Sequence, residues 1–350
     1  MGDSGSRFFY VVCQSGANEL VKREVLANIP QARLAFSRPG FLTFKNADSL
    51  QHLALEHSTF IRTYGFSIGG KQGDQNELLQ FVNETAADCE FDKLHVFQRD
   101  QLVPGDREFE PGRSENVEQI CKLLKSKKHL KAITNRPARA NERVLDLILV
   151  DEKHWWIGFH KAETVSQRWI GGVPKTSQLD PISRAYYKAN EALAWSRLPI
   201  ADGDLCLEIG SAPGGSCQRL LESGASVIAV DPADLDERIA SNPKVLHVRA
   251  RGRELKNSQF EGARWLMVDA NVAPHVTLST VESITRGNHQ FRGLILTLKI
   301  GNSDWFERVK EYRERAKSWG FRYIKTRQLA FNRNEFCLVA LKNKAVTRFG

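Results

Sequence analysis

The stretch that most constrains this chain is LCLEIGSAPGGSCQRLL at 205–221, with SVIAVD at 226–231 behind it. Residues 205–209 read as a buried strand, 210–215 as a tight glycine loop and 216–223 as a helix. Residues 226–230 read as a second strand that ends on Asp231. Units of this β-loop-α-β kind bind ligands beyond the carboxyl ends of their strands. Glycines let the backbone approach a ligand closely. The helix start offers free N–H groups to a carboxylate or phosphate. An acid at the tip of the second strand can accept hydrogen bonds from a ribose diol. The expectation is a nucleoside-containing cofactor held by Gly210, Ala212, Pro213, Gly214, Gly215 and Asp231, rather than a glycine turn with no ligand. A dinucleotide loop wants glycine at its middle position, to clear a pyrophosphate. Here that position is Ala212, followed by Pro213. S-adenosylmethionine, which has no phosphate and presents an amino-acid end to the loop, suits these residues better.

At 350 residues the chain is long enough for two domains or three. No run approaches the length of a membrane span. The polar start, MGDSGS, lacks an apolar signal core. It satisfies the loose myristoylation pattern, but reads better as a disordered start. Six cysteines without C-x-x-C spacing point to reduced, mostly buried thiols and a cytoplasmic protein. The nine histidines do not cluster with them, so no metal site is expected. The net charge of +9 biases the chain toward a polyanion such as RNA.

The N-terminal half reads as α+β. Strands are expected at 7–13, 32–36, 40–44, 60–68, 94–97, 144–150 and 154–159. Helices are expected at 16–28, 47–57, 76–87 and 116–130, and a charged Pro-Gly loop at 99–115. The end of the 116–130 helix is basic: Lys122, Lys125, Lys127, Lys128 and Lys131, then Arg136, Arg139 and Arg143. Those charges fit either a phosphate-contacting surface or a solvated face. The expected division is 1–165, with possible subdomains 1–68 and 69–165; a linker at 166–182; and a second domain at 183–350. In that domain a helix at 183–197 leads into the glycine-loop strand. Further strands at 244–248, 264–269, 292–299, 321–329 and 335–341 alternate with helices at 277–285 and 305–319. That alternation means a doubly wound, mostly parallel sheet.

Four charged residues stand where such a sheet would bring them to one edge: Lys188 before the first strand, Asp269 ending WLMVD, Lys299 ending LILTLK, and Glu335 beginning EFCLVAL. Singly, each reads as a strand-end charge in solvent. In this order, with the loop 212–215, the set resembles the FtsJ-like ribose 2′-O-methyltransferases, whose catalytic residues run Lys-Asp-Lys-Glu. Within that superfamily it looks most like the RlmM type, which acts on 23S ribosomal RNA and carries an N-terminal THUMP region. The resemblance over 183–341 is specific, and over the first half it is one of layout. It implies a Rossmann-like S-adenosylmethionine methyltransferase domain with an antiparallel terminal strand, preceded by a THUMP-like RNA-binding region. Lys188, Asp269, Lys299 and Glu335 would be catalytic, and Asp269 would also lie near the methyl donor. Two departures stand out. Ser216 replaces the tryptophan that often follows the second glycine. Arg251, within RARGR at 249–253, stands where many members place an acid near the adenine.

The chemistry suits these residue types. A ribose 2′-hydroxyl is a poor nucleophile and needs a base within hydrogen-bond reach while the methyl group is held in line. The expectation is Lys299 as base, Asp269 as its orienting partner, and Lys188 with Glu335 as the electrostatic frame. The competing expectations are an RNA-binding protein with a relic methyltransferase fold and a nucleotide-dependent oxidoreductase. Ala212 and the two lysines speak against the oxidoreductase.

Overall fold

A computed structural model describes residues 5–106, 108–127, 130, 133–176, 180–286, 290–300 and 305–343. The chain divides into two compact units, 1–175 and 176–350.

The first unit is one seven-stranded sheet. It contains β1 (Ser6–Cys13), β2 (Arg33–Arg38), β3 (Phe41–Leu50), β4 (Ile61–Gln72), β5 (Lys93–Gln98), β6 (Arg143–Asp151) and β7 (His154–Lys161). Their order is β2-β3-β1-β4-β7-β6-β5. Every neighbouring pair is antiparallel except β5 and β6. Its helices are α1 (Asn18–Asn28), α2 (Gln75–Asp88) and α3 (Glu115–Ser126). Asp74 caps α2 through the amides of Asn76 and Glu77, and Ser114 caps α3 through the amide of Val117. Such caps satisfy N–H groups that a helix start leaves unpaired. Leu78, Val82, Ile120 and Leu124 of α2 and α3 pack on Leu145, Leu147, Trp155 and Ile157. Strand alternation puts Tyr10, Asp146, His95 and His160 on the opposite face. Gly65 and Gly158 make room for the Tyr10 ring there, since a Cβ on either would meet it within 3 Å.

Three expectations for this half need revision. Residues 47–57 form no helix: β3 runs to Leu50, where Leu50 pairs with Ser6, and Leu53 and Leu55 are buried beyond it. The strands of 1–68 and 69–165 share one sheet through the β4–β7 pairing, so no boundary falls at 68. Much of the expected linker belongs to the first unit. Two 3-10 turns at Ser166–Arg168 and Ile170–Gly172 lie on its sheet, and Gly171 touches Phe97. The basic helix ends at Ser126; Lys122, Lys125 and Lys127 are exposed, and Lys128 and Lys131 lie outside the described residues.

The second unit is a doubly wound, Rossmann-like sheet. Its strands are β8 (Leu205–Ile209), β9 (Ser226–Val230), β10 (Val245–Val248), β11 (Trp265–Val268), β12 (Gly293–Lys299), β13 (Tyr323–Arg327) and β14 (Glu335–Leu341). The order is β10-β9-β8-β11-β12-β14-β13. All run parallel except β14, which is antiparallel to both its neighbours. The helices are α4 (Arg184–Ser196), α5 (Gly215–Glu222), α6 (Glu237–Ala240), α7 (Pro274–Thr285) and α8 (Trp305–Ser318). From β8 the chain winds outward to β9 and β10, then crosses back to β11. The strand order therefore reverses between β8 and β11, where open α/β sheets form their ligand crevice. Among the described residues, no helix is long and apolar enough to cross a membrane, and no group of three or more His, Cys, Asp or Glu could hold a metal. The six cysteines are unbridged, and all but Cys89 are buried.

Candidate active site

The loop after β8 occupies that reversal point. Gly210 has a left-handed φ of 79°, and a Cβ there would sit 2.7 Å from the Asp269 carbonyl oxygen and 2.8 Å from the Ala270 Cα. Only glycine lets the loop lie against the end of β11. The Ala212–Pro213 peptide is cis. Helix α5 starts at Gly215 after the N-cap Gly214, which has no side chain to cap its first N–H groups. The Ser211 Oγ is buried without a hydrogen-bond partner. Asp231, at the tip of β9, accepts from the amides of Ala212 (3.2 Å) and Ala233 (2.9 Å), one on each carboxylate oxygen. Each oxygen keeps a further lone pair for a hydroxyl.

Beneath the loop stands an acid that sequence reasoning passed over. Glu208 is fully buried on β8; one oxygen accepts from the Cys217 thiol at 2.9 Å and the other lacks a partner. Burial pushes its carboxyl up to about 8, against smaller opposing hydrogen bonds from Cys217 and Ser216. The signal was present: Glu208 is the one charged residue in an otherwise apolar strand.

The four predicted catalytic residues arrive from four elements. Lys188 lies on α4, which Ser183 caps and which is tied to α5 through Tyr186 Oη to Glu222 (2.7 Å) and Arg219 to Asn190 (2.9 Å). The Lys188 Nζ donates to both oxygens of Asp269, at 2.9 and 3.1 Å, and meets Glu335 Oε1 at 2.7 Å. These side chains are only 13–15% exposed, so the attraction is weakly screened. Burial alone would lower the Lys188 ammonium; the two carboxylates outweigh it and hold it above the usual lysine range. Lys299 ends β12 directly opposite Glu335 on β14, which puts both side chains on one face of the sheet. Its ammonium donates to the Asn271 Oδ1 and, among the described residues, makes no ion pair.

The geometry thus joins Lys188, Asp269 and Glu335 directly and sets Lys299 beside them, on an uncharged amide. Asp269 was expected to orient Lys299, but its hydrogen bonds go to Lys188. Three residues missed in the sequence hold this arrangement. Glu191, one turn beyond Lys188, is buried; its oxygens accept from Arg327 Nε (3.0 Å) and the Ala330 amide (2.7 Å). Asn332, fully buried, accepts from the Leu329 amide and donates to Glu335 at 3.2 Å. The connection between β13 and β14 is therefore pinned to α4 at one end and aims Glu335 at the other. No sequence spacing announces contacts 136 or 139 residues apart. Among the RARGR residues, Arg251 is exposed, Arg249 pairs with Asp234, and Gly252 lies against Ile209 and Thr280.

Residues 181–296 match the FtsJ-like methyltransferase family. This FtsJ-like segment holds the glycine loop, Lys188, Asp231 and Asp269. Lys299 and Glu335 follow it. The ribosomal RNA large subunit methyltransferase M of Shewanella sp. (strain ANA-3) is 23% identical over 192 residues, covering 52% of this chain and 52% of its own. The same-named protein of Pseudoalteromonas translucida is 23% identical over 229 residues, covering 62% and 63%. The chain spans about half the length of most of the curated relatives it matches. Among solved structures, the fibrillarin pre-rRNA processing protein of Methanococcus jannaschii is similar at a TM-score of 0.38, with 13% identity over 56% of this chain and 81% of its own.

Proposed function

We propose that the protein is an S-adenosylmethionine-dependent RNA methyltransferase that modifies a ribose 2′-hydroxyl, in ribosomal RNA of the large-subunit (23S) kind. The observation that carries this reading is the pairing of Lys188 with Asp269 and Glu335 at the strand-order reversal, with Lys299 beside them making no ion pair among the described residues. The residues around the loop fit the methyl donor: the uncapped start of α5 suits a carboxylate, Asp231 has lone pairs for a ribose diol, and Ser211 offers an unpartnered hydroxyl. Ala212, Pro213, Gly214 and Gly215 shape that loop. When bound, the cofactor supplies an electrophilic methyl group.

The chain's own residues supply the rest. A lysine accepts a proton only as the neutral amine. Of the two lysines, Lys188 is the one its carboxylates keep charged, so Lys299 takes the base role. It accepts the 2′-hydroxyl proton, and Asn271 steers its amine. Lys188 fixes Asp269 and Glu335 and places positive charge where the alkoxide develops. The N-terminal unit, in this reading a THUMP-like region, holds the RNA, and the enzyme works in the cytoplasm.

The test is transfer of labelled methyl groups from S-adenosylmethionine to total ribosomal RNA, wild type beside Lys299→Ala, followed by digestion to nucleosides. A labelled 2′-O-methyl nucleoside with wild type alone supports the reading. Label on a base would sink the ribose assignment. Cofactor binding without transfer would favour an RNA-binding protein with a relic fold.

A further inference from the structure

The first unit's sheet carries a second candidate RNA surface, unrelated to the basic end of α3. On the face that bears Tyr10, the register sets Arg33, Lys45 and Phe8 side by side across β2, β3 and β1. Three residues along β2, past a bulge, Phe36 follows opposite Thr43, and then Arg38. Arg33, Arg38 and Lys45 are exposed, and Phe8 is 43% exposed. Arg33 and Lys45 stand directly opposite each other, a like-charge pair that costs an isolated sheet stability. Among the described residues, none of the three cations makes an ion pair. Residues 6–13, 33–38 and 41–46 contain no Asp or Glu at all. Two of the three cations, Lys45 and Arg38, instead lie over aromatic rings. The Lys45 Nζ is 5.4 Å from the Phe8 centroid, and the Arg38 guanidinium is 4.9 Å from that of Phe36. Phe36 in turn stacks on Trp156 at 5.3 Å. The pattern is uncompensated positive charge interleaved with π-faces on a rigid sheet, the chemistry that holds single-stranded nucleic acid: cations for phosphates, rings and guanidinium planes for unstacked bases.

We infer that this face, built from Arg33, Lys45, Phe8 and Arg38 stacked on Phe36, is a docking platform for a single-stranded segment of the RNA substrate. The inference rests on the reading that RNA is the substrate. Its test does not use methyl transfer.

Full-length protein is titrated with a labelled single-stranded RNA 12-mer of mixed sequence, and with a duplex of equal length, across a potassium chloride series. Removing two phosphate contacts in Arg33→Gln/Lys45→Gln should flatten the log–log salt slope for the single strand by about 1.4, at about 0.7 per contact. Phe8→Ala should weaken single-strand binding roughly fivefold or more and leave the slope unchanged. Thermal melting of the double variant should be no lower than wild type, since a like-charge pair is removed. Wild-type binding with both variants unaffected would overturn the platform, leave the RNA reading standing, and turn attention to a protein partner for this face. Equal losses on duplex and single strand, with Phe8→Ala silent, would overturn the stacking role. Failure of wild type to bind either RNA would overturn the platform and the RNA reading together.

Discussion

The two units each contain a knot of buried acids and bases, and the knots differ in what surrounds them. In the first unit, Asp146 accepts from Tyr10 Oη and His160 Nδ1, both at 2.5 Å, while His160 Nε2 meets the Gln167 carbonyl at 2.8 Å. With a carboxylate on one nitrogen and a carbonyl on the other, the His160 ring must donate twice and is an imidazolium. His95 stands close to Asp146 and turns its Nε2 to the Arg136 carbonyl at 3.1 Å. All four residues are buried in mid-sheet. In the second unit, the Lys188 knot lies at the carboxyl ends of strands, beside the glycine loop, and Lys299 makes no ion pair among the described residues. Buried ion pairs are thus a poor marker of a site on their own. A closed network in mid-strand fits packing, whereas one at a strand-order reversal with a further lysine beside it is where the proposed chemistry would sit.

The sharpest way to break that contrast is to remove one member from each knot. Lys299→Ala should reduce methyl transfer by about 10³-fold, within the range for loss of a general base. Its cofactor affinity and melting temperature should stay near wild type. Asp146→Asn should do the reverse. Leaving the His160 imidazolium without its carboxylate should cost about 3–5 kcal/mol, read as a lower denaturant midpoint, with turnover per folded molecule retained. If Asp146→Asn abolishes turnover while the fold stays intact, the first knot is functional and the contrast fails.

The same two regions differ in how much of them could be read from the chain. The second unit was legible because its elements are local: glycine spacing, apolar strands and terminal charges each fit within a few residues. Even there, Asp269 went to Lys188 and not to Lys299, since partner choice depends on where α4 comes to rest. The first unit was harder. Residues 47–57 have helix-compatible composition, yet pairing with β1 draws β3 on to Leu50. The stretch 166–172 looks like a linker because its glycines and polar residues give no period. It is nevertheless structural, as Gly172 packs on the Arg62 carbonyl and the Gln167 side-chain amide donates to the Tyr64 carbonyl. Tertiary contacts at long sequence separation, which no periodicity encodes, account for each miss.

A second experiment sharpens the comparison through pH. Burial lowers His95 to about 4, so the native first unit refuses a proton that the unfolded chain accepts. That contribution is whole above the unfolded value near 6.5 and is lost as pH falls through about 4. His160 runs the other way. Burial alone would lower it, Asp146 raises it, and its contribution is whole below about 6.5 and lost as pH rises through the higher folded value. Melting curves from pH 7.5 to 4 should therefore show His95→Gln losing less stability on acidification than wild type, and His160→Gln losing more. Identical profiles for both variants would dissolve the assignment of charge within the network.

A smaller effect is expected at Glu191, whose ion pair with Arg327 anchors the connection that presents Glu335. Glu191→Gln keeps the shape and weakens the charge-assisted bonds. It should lower kcat by about tenfold, since misplacing a catalytic group by an ångström costs up to ~10²-fold. The KM for S-adenosylmethionine should hold, because the cofactor loop is untouched. A rise in KM with unchanged kcat would mean that the clamp serves the loop and not Glu335.

The subtlest difference lies inside the second unit itself. Glu208 sits under the glycine loop and belongs with the closed network rather than the open one, as it is fully buried and accepts a hydrogen bond from the Cys217 thiol. Its carboxyl, pushed up to about 8 by burial, keeps a proton that the unfolded chain releases above about 4.5. Stability from this group is therefore full below about 4.5 and is lost as pH climbs through about 8. Glu208→Gln is neutral at every pH and nearly the same in shape. It should match wild type at pH 5 and melt higher at pH 9, and its cofactor affinity should not change between those pH values. Should wild type instead melt higher at pH 9, ionised Glu208 must gain a partner in the folded state. Its unpaired oxygen would then point to a cation or a cofactor ammonium beneath the loop, and Glu208 would move from the packing side of the comparison to the chemical side.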